Sequence, residues 1–67
     1  MITKIKTEFI RLDTLLKLAG IADTGGQAKW MIKDGMVSVS GEICLQRGKK
    51  IRPGDTVTVG DQTITVE

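Results

Sequence analysis

Sixty-seven residues, 40% of them hydrophobic and 27% charged, make one small α+β-sized domain with a thin core and no room for a catalytic domain beside a binding one. Ten Lys and Arg against eight Asp and Glu leave a net charge of +2, too little by itself to mark a polyanionic partner. Cys44 is the only cysteine, which excludes an intramolecular disulfide framework, and no apolar run reaches the ~18–20 residues needed to span a bilayer.

Such a chain buries about 60% of its unfolded surface, so modest stability is expected. Phe9 and Trp30 are its only aromatic residues, and the core must be aliphatic. The first residues mix Lys4, Lys6 and Glu8 and do not form a signal peptide. The expectation is a single cytoplasmic domain over residues 1–67, in which Cys44 is a small apolar residue near a strand.

In chain order, residues 2–6 suit a short edge strand. From 11 to 19 the period becomes helical, with Leu12, Leu15, Leu16 and Ala19 on one arc and Gly20 as its C-terminal stop. A second helix is announced by Thr24-Gly-Gly-Gln27, a capping box in which the Thr24 hydroxyl accepts from the Gln27 amide and the Gln27 side chain reaches back. Ala28, Met31, Ile32 and Gly35 share its inner face, while Lys29, Trp30 and Lys33 project from the other. Gly35 ends it. The period then switches to two: Val37 and Val39, a turn at Ser40-Gly41, then Ile43 and Leu45. Pro53-Gly54-Asp55 makes another turn, and Val57 and Val59 lead through Gly60-Asp61 to a return strand with Ile64 and Val66.

The residues argue against catalysis. There is no His and no Tyr, Cys44 lacks a motif with a base, and neither metal-ligand spacing nor a phosphate-binding loop occurs. No cofactor and no metal are expected. The cations are better organised: Arg47, Lys49, Lys50 and Arg52 fall within six residues, with no acid between Glu42 and Asp55. They either fan towards phosphates or form a solvated charge run. Trp30, between Lys29 and Lys33, has three readings: stacking on an unpaired base, packing onto the fold, or a protein interface. Arg11 either contacts a nucleic-acid phosphate through its planar donor fork or pairs with Asp13 or Glu8. Gly25 and Gly26 either leave the amides of the second helix open to a phosphate or serve as a permissive turn.

Spaced along the chain is R-L-D-x-L-L-x-x-x-G from Arg11 to Gly20. A-K-x-x-I-x-x-G-x-V-x-V-x-G follows from Ala28 to Gly41, and I-x-x-G-D-x-V-x-V from Ile51 to Val59. This pattern, about three quarters of the chain, resembles the S-four type RNA-binding domain, and the short form resembles the stand-alone bacterial proteins of the YaaA/YbcJ-like kind. The resemblance implies an α+β fold, two adjacent short helices packed on a small, mostly antiparallel sheet, with the motif core at 11–59. It implies a bacterial module that docks on structured RNA, with ribosomal RNA or ribosome assembly as the expected setting. DNA is not separated from RNA by these residues, and a protein–protein adaptor using the Trp30 face is the alternative. Carried over position by position, the implied RNA-binding residues are Arg11 with Asp13, Thr24, Lys29, and the pair Lys49–Lys50. The residues themselves add Gly25, Gln27, Trp30, Lys33 and Arg47. One departure is Gly25, where many members carry an arginine just after the cap of the second helix.

Overall fold

The computed structural model describes residues 1–67. Its elements are β1 (Ile2–Thr3), β2 (Ile10–Arg11), α1 (Leu12–Leu18), α2 (Gly25–Lys33), β3 (Val37–Val39), β4 (Glu42–Ile43), β5 (Lys50–Ile51), β6 (Thr56–Val59) and β7 (Gln62–Val66). The α+β architecture, two helices on a mostly antiparallel sheet, agrees with the reading of the sequence. Five strands form one sheet in the order β1-β7-β6-β3-β4, and β2 pairs with β5 in a second, two-stranded sheet.

Both helices end as their residues dictate. Past α1, the Gly20 amide donates to the Lys17 carbonyl and the Ile21 amide to the Leu16 carbonyl. Past α2, the Gly35 amide donates to Ile32 and the Met36 amide to Met31. These paired bonds need a left-handed residue at the exit, and Gly20 and Gly35 supply φ of +77° and +78°. The helices differ at their starts. Thr24 caps α2, its Oγ1 accepting from the Gln27 amide at 3.1 Å. The Gln27 Oε1 reaches back one residue further than expected, to the Asp23 amide at 2.8 Å. Arg11, at the start of α1, caps nothing with its side chain.

Period-two alternation sets the sheet. Val37 lies opposite Val59, Val39 opposite Val57, and Val57 opposite Ile64, so one face is a continuous aliphatic surface. Ser38, Thr58 and Thr63 are in register with one another on the other face. The hairpin turns follow their residues: Ser40 and Gly41 both take positive φ, the type I′ pattern, and in the β6–β7 turn Gly60 alone does. The 14-residue core joins Leu12, Leu15, Leu16, Ala28 and Ile32 of the helices to this sheet face and to Ile51 of β5. No polar or charged residue is buried.

Four expectations are corrected. The first strand is two residues long, Ile2 and Thr3 lying parallel to Thr65 and Val66 of β7, and past it the Ile5 amide still bonds the Glu67 carbonyl outside any strand. Arg11 belongs to β2, not to the first helix, since its φ and ψ of −70° and 146° are extended. Beyond Ser40-Gly41 the alternation does not continue: β4 stops at Ile43, Leu45 is outside any strand, and both side chains are exposed. The basic segment is not wholly a connection between strands, because Lys50 and Ile51 form β5.

Candidate nucleic-acid interface

Pairing of β2 with β5 places Ile10 opposite Ile51 and Arg11 opposite Lys50. Residues directly opposite in an antiparallel pair share a face, and like charges there are destabilising. Ile51 is fully buried and fixes the register, so the facing cations are a consequence of the core. Each is drawn aside by a local partner. Arg11 Nη2 donates to Asp13 Oδ2 at 3.1 Å, with the two side chains 53% and 15% exposed. The Lys50 ammonium lies 4.9 Å from the centre of the Phe9 ring, a cation–π distance.

The rest of the basic segment is tied to the same place through backbone. The first amides of α1 have no partner within the helix. Leu12 donates to the Lys49 carbonyl at 2.9 Å and Asp13 to the Arg47 carbonyl at 3.1 Å. Asp13 also accepts the Thr14 amide on Oδ1 at 2.8 Å, so its carboxylate orders the first turn while it holds Arg11. Gly48 stands beside the guanidinium, where a Cβ would meet Arg11 Nη2 at an ordinary contact distance of 3.9 Å. Arg11, Arg47, Lys49 and Lys50 are thereby gathered on one exposed surface at the start of α1.

On α2 the predicted residues separate by exposure. Trp30 is 65% exposed and lies outside the core, which removes the packing reading. Lys33 is exposed, whereas Lys29 is half-buried beside the inner face and does not project freely as expected. Thr24 and Gln27 are spent on capping. Gly25 and Gly26 take no positive φ, so the backbone does not require glycine at either and the permissive-turn reading lacks support.

Sequence reasoning missed Lys17. Its Nζ is 3.9 Å from where a Cβ on Gly25 would stand, so α1 delivers a cation to the place left empty by the missing arginine. Its position in the last turn of α1, off the apolar arc, was the available signal. Throughout the molecule Arg11–Asp13 is the one salt bridge, which leaves nine of the ten Lys and Arg side chains unpaired despite eight acids. No three His, Cys, Asp or Glu side chains come together as a metal site would need, and no helix is long and apolar enough to cross a membrane.

A helix pair whose first helix is completed by a cationic turn between β4 and β5 marks a small α+β module of the S4 type. Residues 3–67 match the family model of the S4 domain, and the chain belongs to that family. In Bacillus subtilis (strain 168) the protein named "Probable ribosome maturation protein RlbA" is 42% identical over 55 residues, covering 82% of this chain and 78% of that one. YbcJ of Escherichia coli (strain K12) is 36% identical over 61 residues, 91% of this chain and 87% of its own. The solution structure of YbcJ, described as revealing an αL motif involved in RNA-binding, superposes with a TM-score of 0.74 and 33% identity, over 97% of this chain and 84% of that one.

Proposed function

We propose that this protein is a cytoplasmic binding module, not an enzyme, that docks on structured RNA through the surface at the start of α1, with ribosomal RNA or ribosome assembly as its setting. The observation that carries this reading is the Arg11–Lys50 pair. The fold sets two cations opposite each other at a cost in stability, and it fastens Arg47 and Lys49 beside them by backbone bonds. A surface built only for stability would place an acid at one of the two positions. The wording attached to YbcJ and RlbA, RNA-binding and ribosome maturation, supports RNA over DNA as the polyanion. Lys17 and Lys33 extend the cationic surface over the helix pair, and Trp30 offers an aromatic face on which an unpaired base stacks.

The test is anisotropy of a labelled ribosomal RNA hairpin and of a matched DNA duplex across a salt series, with Trp30 fluorescence followed in parallel. RNA-preferring binding is expected, weakening with salt at a slope that reports about 3–5 phosphate contacts. Reversing Lys29, Lys49 and Lys50 together to Glu should abolish it in a protein that still melts cooperatively. Unchanged affinity in that variant would sink the reading. The exposure of Trp30 favours one second reading, an adaptor for a protein partner. Salt-insensitive capture of a protein, lost on Trp30→Ala with no RNA binding, would establish it instead.

A further inference from the structure

Residues of the β3–β4 hairpin and of the segment 44–55 line an open groove of about 940 Å³, at the upper end of the ~300–1,000 Å³ typical of small-molecule sites. Ile43 and Leu45 line it, 66% and 60% exposed and outside the core. Two large aliphatic side chains left in water on the wall of a groove give up burial that a small core could use. Lys49, Lys50 and Arg52 also line the groove. Of its two acids, Asp55 is committed: Oδ2 accepts the Arg52 amide at 2.8 Å and Oδ1 the Ser40 hydroxyl at 3.5 Å. Glu42 makes no hydrogen bond or ion pair with another side chain and keeps its charge, so three cations against two acids leave the groove an apolar wall and a net excess of one cation.

The walls are preformed. The Cys44 amide donates to the Val37 carbonyl, the Lys49 carbonyl accepts from Leu12, and the Gly54 amide donates to Val66. Lys49 and Lys50 belong to the groove and to the surface at the start of α1 alike, so an anionic backbone tracking that surface passes the groove.

We propose that this groove receives one unpaired nucleotide of the bound RNA, its base against Ile43 and Leu45 and its phosphate against Lys49 and Arg52. The proposal rests on the RNA-binding reading above. An apolar wall beside cations fits a splayed-out nucleotide, whose base has an apolar face and whose phosphate is anionic; a paired stem offers the phosphates without the base. The groove thereby selects RNA that carries a bulged or looped-out residue.

The experiment compares two RNA hairpins closed by the same non-nucleotide linker, so that neither has an unpaired loop, one fully paired and one differing only by a single-nucleotide bulge, against the wild type and the double variant Ile43→Ser with Leu45→Ser. Both substitutions are at exposed positions outside the core, and methyl NMR of the wild type gives a second readout that needs no variant. The wild type should prefer the bulged hairpin by about fivefold or more, in the range of one base contact. The Ile43 and Leu45 methyl signals should move upfield only with that RNA, as a ring placed over them requires. The double variant should lose the preference while its affinity for the paired hairpin stays within about twofold. Equal affinity of the wild type for both hairpins, unmoved methyl signals, or a preference that survives the double variant would each overturn the groove and leave phosphate docking intact. Binding to neither hairpin would remove the RNA-binding reading itself and the groove with it. Methyl shifts caused by an acidic peptide, with none caused by the bulged RNA, would reassign the groove to a protein and overturn the proposal.

Discussion

In the proposed RNA surface, Arg11 and Lys50 set fold against function within a single pair of residues. Their mutual repulsion is moderated by Asp13, which takes one guanidinium donor, and by Phe9, which draws the ammonium over its ring. Four of the five guanidinium donors stay free for a phosphate. Lys50→Glu converts the like-charged pair into an opposite-charged one. Because both side chains are exposed, that gain is small, about 0.3 kcal/mol, and the lost contact of the ammonium with the Phe9 ring offsets it by about 0.5–1 kcal/mol, so the thermal midpoint should stay level or fall slightly. RNA affinity should fall in the same variant, with the salt slope reduced by about one contact or more. A variant that binds far less well at nearly unchanged stability is the signature expected of a residue kept for its ligand. Lys17 makes the complementary point: a residue with no pattern around it reaches the start of α2 because the two helices pack side by side.

The two helices were legible because their signals are local. Thr24 and Gln27 mark the start of α2, Gly20 and Gly35 mark both ends, and the apolar arcs Leu12-Leu15-Leu16 and Ala28-Met31-Ile32 mark the faces that are in fact buried. Ser40-Gly41 and Gly60-Asp61 were legible in the same way, because two-residue hairpins depend on what those residues can adopt. The β2–β5 pair was not. Two residues are too few to alternate, their partners are far along the chain, and nothing near Arg11 names Lys50. Parallel pairing of β1 was hidden for the same reason. The candidate site was thus readable as a set of cations and not as a surface, since the backbone bonds from Leu12 and Asp13 are what assemble it. The glycines allow a sharp test at this scale. Gly35→Ala puts a side chain at φ +78° and should cost about 1–2 kcal/mol. Gly26→Ala sits in ordinary helix, with its new Cβ an unstrained 3.9 Å from Thr24 Oγ1, and should gain about 0.4–1 kcal/mol. Urea unfolding of the two variants measures both signs.

For the whole molecule, a core of 14 residues carries the fold, and a chain of this length has about 3–10 kcal/mol of stability to lose. Leu16 is fully buried, and its carbonyl accepts the amides of both Ile21 and Ala22 after α1. Leu16→Ala should therefore cost about 2–5 kcal/mol, enough to leave a measurable unfolded fraction at 37 °C, visible as a lost near-ultraviolet signal from Trp30 or as early urea unfolding. The way α1 begins has a wider consequence. Its first two amides are satisfied by carbonyls of Arg47 and Lys49, which arrive only once the chain has doubled back. A copy whose helix pair has formed but whose 47–51 segment is undocked presents RNA with neither the paired cations nor the groove. With RNA held at the proposed surface, its grip is a report that folding has finished, and by linkage the bound RNA holds the fold shut: at a hundredfold excess over Kd it adds about 2.7 kcal/mol. Unoccupied copies open more often and meet proteases more often, so the lifetime of this small protein in a cell would track the supply of the RNA it serves.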